Sequence, residues 1–279
     1  MKLLTGVLKR RREQLGISQA EVAEGICHQS LLSRIERLNE ISNITVLQKI
    51  CERLQLNVSD VAKISDYAAT PLSVIRKLID HGKIDQADEY LNNTNLVNRI
   101  PTFAHPEYNV LAARIALAQE RISDAMQLLQ IALSDVEKHQ MELTIEIFTE
   151  MGVAWLRQSE YINATECFER ACGIIRSLSA ETQINMALVI AYTYRHQAEM
   201  YLAVNNPQKA MERVADAIAI LPVTTEYHAV VALQTLRLEC AKALALPEEH
   251  EEAKMLVYAA AEFSKDSHLK DSIQKYLID

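Results

Sequence analysis

The stretch Ile17–Glu36, "ISQAEVAEGICHQSLLSRIE", reads as two short helices with a tight corner between them. Ser18 offers a side-chain oxygen as an N-cap, and Glu21 three residues on completes a capping box, so the first helix starts here. Val22, Ala23 and Ile26 are its apolar side. A second helix begins near His28, with Leu31, Leu32 and Ile35 as its buried side.

Upstream, Leu4, Val7, Leu8 and Leu15 recur at helical spacing and stop at Gly16, a residue suited to ending a helix. Downstream, Asn43 or Ser42 can cap "ITVLQKICERL", whose Val46, Leu47, Ile50 and Leu54 are apolar at periods of three and four. "LNVSDV" starts a last short helix. The pattern gives about five helices over residues 1–65.

Charge divides the chain. Residues 1–65 hold ten Lys/Arg and seven Asp/Glu, a balance of +3, while the rest carries −11 of the net −8. An acidic body is repelled by a polyanion, but a basic head can still bind one. The sign changes near "SDYAATPLS", where Pro71 interrupts helical geometry. The expected organisation is a head over 1–65, a linker over 66–71 and a second domain over 72–279.

Composition points to an all-α protein. Six Gly, six Pro and 5% aromatics are too few for a strand-rich fold, and Ala, Leu, Ile, Glu and Gln favour helices. No run of about 18 apolar residues occurs, so no membrane span or membrane partner is expected. "MKLLTGVLKRRREQ" places charge where a signal peptide has its apolar core. The five cysteines form no CxxC pair and read as reduced, mostly buried thiols of a cytoplasmic protein.

Arg12, the "LGISQAEVAE" run, the "SRIE" ending and the trailing "L..I...L.L" pattern resemble helix-turn-helix domains of the lambda-repressor and Cro type. The corner "EGICHQS" is about one residue shorter than in the usual motif. The string "ICHQS..SRIE" resembles the peptide-sensing transcription regulators of the PlcR type and, more loosely, the Rgg type, of the RRNPP superfamily. This likeness covers about a quarter of the chain. In such domains the second helix enters the major groove with its N-terminal residues toward the bases. Mapped onto this sequence, Gln29, Ser30 and Arg34 face bases, since Gln pairs with adenine and Arg with guanine. Gln19 opens the preceding helix, where a phosphate can be held. His28 and Ser33 are candidates for backbone contact. Arg12 and Glu36 tend to pair across helices in this domain type and read as structural. Lys9, Arg10 and Arg11 lie either near phosphate or on a solvated face.

Residues 71–279 contain a weak repeat. Aligned on a small residue opening each second helix, the units fall at Ala87, Ala125, Ala164, Ala210 and Ala253. The third is the clearest, with Gly152, Trp155, Tyr161, Ala164, Phe168 and Ala171 at the packing positions of a tetratricopeptide repeat. Pro222 stands at the closing position of the fourth. The expected fold is therefore a lambda-repressor-like head followed by a right-handed tetratricopeptide-repeat superhelix of about five hairpins.

First helices of such repeats line a concave face. Counting from the repeat pattern, its inward polar residues are Arg114, Thr149, Glu150, Arg195, His196, Glu199, Glu239 and Lys242. A groove with both signs of charge suits an extended peptide, whose backbone groups and charges need partners. The resemblance implies a short signalling peptide there. One departure stands out: where asparagines of PlcR-like proteins clasp the peptide backbone, this chain has Glu150 and His196. Glutamate only accepts when ionised, whereas asparagine also donates.

No Gly-rich phosphate loop, HExxH or GxSxG motif occurs, and the eight histidines are scattered, so no enzyme, cofactor or metal site is expected. The leading reading is a cytoplasmic, homodimeric, peptide-controlled transcription regulator acting on a palindromic double-stranded operator, because two recognition helices must reach successive major grooves. The alternative is a scaffold whose repeats hold a protein partner. A response-regulator phosphatase of the same superfamily fits less well, because those proteins carry a three-helix bundle in place of the basic head.

Overall fold

The computed structural model describes every residue except 1–2, 4–5, 42, 57–60, 62–70, 94–95, 97–99, 101–103, 138–139, 222–226, 265 and 275–279. Residues 66–70 of the expected linker, residues 57–60 of "LNVSDV", Leu4, the alternative cap Ser42, His139 and Pro222 lie outside the described residues, while Pro71, taken as the linker's last residue, opens a helix. The chain forms two compact units: residues 1–77 with 94–102, and residues 78–93 with 103–279. Among the described residues the regular structure is helical throughout.

In the first unit, helix α1 spans Val7–Gln14, α2 Gln19–Ala23, α3 Gln29–Leu38 and α4 Ile44–Arg53. The capping box forms: the Ser18 hydroxyl accepts from the Glu21 N–H, and the Ser18 N–H donates to the Glu21 carboxylate. Asn43 caps α4 by accepting from the Val46 N–H. Helix α1 ends at Leu15, followed by Gly16 at φ +67°, a left-handed conformation that costs glycine little. Leu8, Val22, Ala23, Leu32, Ile35, Leu47, Ile50 and Leu54 close one core. Each fully buried Leu or Ile contributes about 1.5–3 kcal/mol relative to exposure. A five-residue helix cannot stand alone. The carbonyls of Glu21, Val22 and Glu24 at the end of α2 accept from the Arg53 guanidinium of α4.

Helix α5 (Pro71–Asp80) and α6 (Ile84–Asn93) follow. Four helical hairpins then stack: α7 (His105–Ala118) with α8 (Ile122–Asp135), α9 (Met141–Arg157) with α10 (Tyr161–Ser177), α12 (Ala187–Ala203) with α13 (Pro207–Ile220), and α14 (Tyr227–Ala243) with α15 (Pro247–Ser264). A short helix α16 (Ser267–Ile273) follows. The five repeat alanines, Ala87, Ala125, Ala164, Ala210 and Ala253, have no exposed surface. At Gly152 the two helices of a hairpin approach so closely that an added Cβ would sit 2.7 Å from the Phe168 ring.

The hairpins turn in one way. Gly82, Glu120, Ser159, Asn205 and Ala245 all have positive φ. The residue after each returns its N–H to a carbonyl five residues back: Lys83 to Leu78, Arg121 to Ala116, Glu160 to Trp155, Asn206 to Tyr201 and Leu246 to Ala241. This is the Schellman closure of a helix end. Four of the five left-handed positions are not glycine.

The wide gap between the third and fourth repeat alanines has a structural cause. An extra short helix, α11 (Ala180–Asn185), capped by Ser179, stands between α10 and α12. Successive first helices α7, α9, α12 and α14 pack side by side. Second helices instead meet the next hairpin's first helix, as α8 meets α9 and α13 meets α14. The first helices therefore form the inner layer.

Candidate functional site

In the head, the buried side of α3 is Leu32, Ile35 and Glu36, which leaves Gln29, Ser30, Ser33, Arg34 and Arg37 exposed. Ser30, Ser33, Arg34 and Arg37 recur at three and four residues, so they form one strip along the helix. Gln29 flanks the strip at its N-terminal end. His28 is exposed at the N-cap, with extended backbone and no capping bond from its ring. Arg37 was missed in the sequence, although its spacing from Arg34 could have suggested it.

The helix carrying this strip is fixed by a buried ion pair. Arg12 of α1 donates from Nε and Nη2 to the two carboxylate oxygens of Glu36, at 2.7 and 3.0 Å. The Glu36 side chain is only 3% exposed. Burial works to raise the Glu36 carboxyl, but bonds from Arg12 and Gln19 and the Arg12 charge hold it below its ordinary value. Gln19, expected to hold a phosphate, uses its amide N–H on Glu36, at 2.8 Å, so it braces α3. Of the basic run on α1, Arg11 donates to the Leu54 carbonyl and Arg10 to Gly6.

The second candidate site runs along the inner layer of the repeats. Arg114 of α7 is ion-paired to Asp80 at 3.1 Å and to Glu150 of α9 at 3.2 Å. Its guanidinium also lies 5.1 Å from the centre of the Tyr192 ring of α12. The Tyr192 hydroxyl donates to Glu150 at 2.8 Å. On the same ring sits Arg195, also at 5.1 Å, and His196 meets it edge-on at 4.4 Å. His196 Nδ1 bonds Glu199 Oε2 at 2.6 Å, and its Nε2 faces Arg195 Nη2 at 2.8 Å. Polar contacts thus run without a break from Asp80 through Arg114, Glu150 and Tyr192 to Arg195, His196 and Glu199.

Electrostatics follow from this packing. Burial opposes the charge on Arg114, yet Tyr192, Glu150, Asp80 and Glu146 together raise its pKa above the ordinary value. Burial and Glu150 push the Tyr192 hydroxyl up, so it remains a donor. Burial also works against Glu199, but His196, Arg195 and Arg157 bring its carboxyl down to about 2.

The expected inward residues separate into three groups. Thr149 is fully buried, bonded to the Ile145 carbonyl and to Thr193 across the layer. Arg114, Glu150 and His196 are buried or nearly so, inside the polar chain. Arg195 and Glu199 reach the surface, and Glu239 and Lys242 are exposed on α14. Asp80 and Tyr192 were not anticipated. Tyr192 lies in the apolar run "ALVIAYTYRHQ", where nothing local marks it as the centre of an ion cluster. Among the described residues no cluster could hold a metal ion, and no helix is long and apolar enough to cross a membrane.

Residues 8–61 match the family model described as helix-turn-helix, so the head is a helix-turn-helix domain. Over nearly its whole length the fold is similar to that of Bacillus thuringiensis PlcR, solved in complex with the peptide PapR7 and DNA. The two are 17% identical over 96% of this chain and 97% of that chain, with a TM-score of 0.60. A second similar structure, the SHP pheromone receptor Rgg2 of Streptococcus dysgalactiae, covers the same shares at 13% identity and a TM-score of 0.46. No curated protein matches the chain by sequence. The fold is thus a helix-turn-helix head with helical repeats, as the sequence pattern predicts.

Proposed function

We propose that this chain is a transcription regulator whose repeat unit binds a short signalling peptide along its inner helix layer and thereby controls operator binding by the head. The observation that carries this reading is the full-length likeness in fold to a regulator solved with both a peptide and DNA. The inner layer adds support, since its polar chain crosses successive hairpins and surfaces at Arg195 and Glu199. In the head, Gln29, Ser30 and Arg34 read bases, while His28 and Ser33 contact the backbone. The protein acts as a homodimer on a palindromic site, so that two α3 helices enter successive major grooves.

The test is selection from random duplex DNA by the full-length protein, with and without a pool of random heptapeptides. A two-fold symmetric motif whose enrichment changes with the peptide pool is the expected result. Linkage requires reciprocity, so the selected operator must change peptide retention by the same factor. DNA selection that no peptide pool alters would refute peptide control and favour a scaffold for a protein partner.

A further inference from the structure

Earlier in the stack a second helix packs on its own first helix and also on the first helix of the next hairpin, as α8 does on α9 and α13 on α14. Helix α15 (Pro247–Ser264) is followed, among the described residues, only by the short α16. One side of α15 is buried: Val257, Ala260 and Ala261 pack with Val231 of α14 and with Leu269 and Ile273 of α16. The opposite side is apolar where the end of a repeat stack calls for a polar surface. Met255 is 71% exposed, Phe263 69%, Tyr258 52% and Leu256 39%. Met255, Ala259 and Phe263 stand four residues apart and so share one ridge of the helix, with Ala259 half-buried. A contiguous apolar strip of this kind marks an interaction surface.

Two features fit the strip to a copy of itself. The first is its symmetry. A small residue, Ala259, has a large apolar residue four positions before it and another four positions after it. Turned end for end about Ala259, Met255 falls on Phe263 of the partner subunit, and the reverse contact follows, as a two-fold interface requires. Alanine at the centre lets the two helices approach closely, and a thioether against an aromatic ring is a favourable contact. The second feature is charge. Glu248, Glu249, Glu251 and Glu252 crowd the start of α15, and Arg237 engages only two of them, Glu249 and Glu252. Antiparallel pairing carries the two acidic starts to opposite ends, whereas parallel pairing would set them side by side. At 18 residues α15 is about 27 Å long, enough to form the spine of an interface of about 800 Å² per subunit.

We propose that the outer face of α15 is a self-association surface, on which two copies of the chain pair antiparallel about Ala259. This rests on the homodimer reading above and gives it a surface and a register.

The experiment uses the full chain. Sedimentation velocity over a concentration series should show a dimer for wild type. Met255→Glu combined with Phe263→Glu should raise the dissociation constant at least about tenfold, because each new charge would be buried without a partner. Both side chains are exposed in the single chain, so helix content by circular dichroism should not change. Oxidative cross-linking reads the register. Ala259→Cys stands on the two-fold axis and should join to its own copy, since a disulfide needs Cβ atoms about 3.5–4.5 Å apart. Met255→Cys would lie about 12 Å from its own copy along the helix axis and should not cross-link alone, but should do so when mixed with Phe263→Cys. Wild type, whose cysteines are buried except for the partly buried Cys27, sets the background. A dimer that survives the double glutamate variant, or cross-linking of Ala259→Cys no greater than wild type, overturns the assignment and leaves the homodimer reading to another surface. A wild-type chain that stays monomeric throughout refutes the homodimer reading, and this face with it.

Discussion

Arg114 and Arg195 look alike in the sequence, each an arginine on a first helix, yet they should respond to substitution very differently. Arg114→Met removes the ion-pair partner of Glu150, whose side chain is only 3% exposed, and leaves the Tyr192 hydroxyl donating to it. Breaking one side of a buried pair costs about 3–5 kcal/mol. Arg195→Met removes a partly exposed group with an unmet donor and should cost less than about 1 kcal/mol. The assay is urea unfolding followed by Trp155 fluorescence, which reports on the repeat unit alone. A loss below about 1 kcal/mol for Arg114→Met would refute the view that this pair is a buried structural tie.

In the head, Arg34→Ala and Gln29→Ala should each lower affinity for a selected operator by roughly 1–3 kcal/mol, with little change on random duplex; equal losses on both would mark phosphate contacts instead. Arg37→Gln should weaken binding to all sequences and reduce the salt slope by about one, measured by fluorescence anisotropy over a salt series. Because Glu36 has its pKa lowered in the fold, its stabilisation is complete above the ordinary value of 4.5 and is lost as pH falls below it. Hydrogen exchange at α3 amides should accordingly quicken below pH 4.5, and Glu36→Gln should remove that pH step at the expense of stability at pH 7. Gly152→Ala places a methyl group 2.7 Å from the Phe168 ring and should destabilise the repeats by about 1–3 kcal/mol in the same unfolding assay; a neutral result would mean that Phe168 has room to move.

Much of the fold is written in local pattern. The Ser18–Glu21 capping box, the Asn43 cap and the apolar spacing of α3 depend on residues within one or two turns, so periodicity alone finds them. The five alanines are legible for the same reason: close approach of two helices demands a small side chain at a fixed place, and each is fully buried. The extra helix α11 was hidden, since "AETQIN" carries no buried residue and adds no apolar period. The hairpin turns were hidden as well, because tertiary packing holds Glu120, Ser159, Asn205 and Ala245 in a backbone region that sequence associates with glycine.

The inner layer is where sequence reasoning stops. It could place Arg114, Glu150, Arg195, His196 and Glu199 on first helices, because that requires only counting from the repeat alanines. It could not say which charges cancel one another. Asp80, Arg114, Glu150 and Tyr192 come from four separate helices, and their pairing depends on how far each hairpin rotates against the next. Ion-pair energy varies steeply with distance and burial, and neither is a property of the chain order. The sequence by itself determined the helices, the repeat and the basic head; only the tertiary structure decided that Arg114 is locked into the stack while Arg195 reaches its surface.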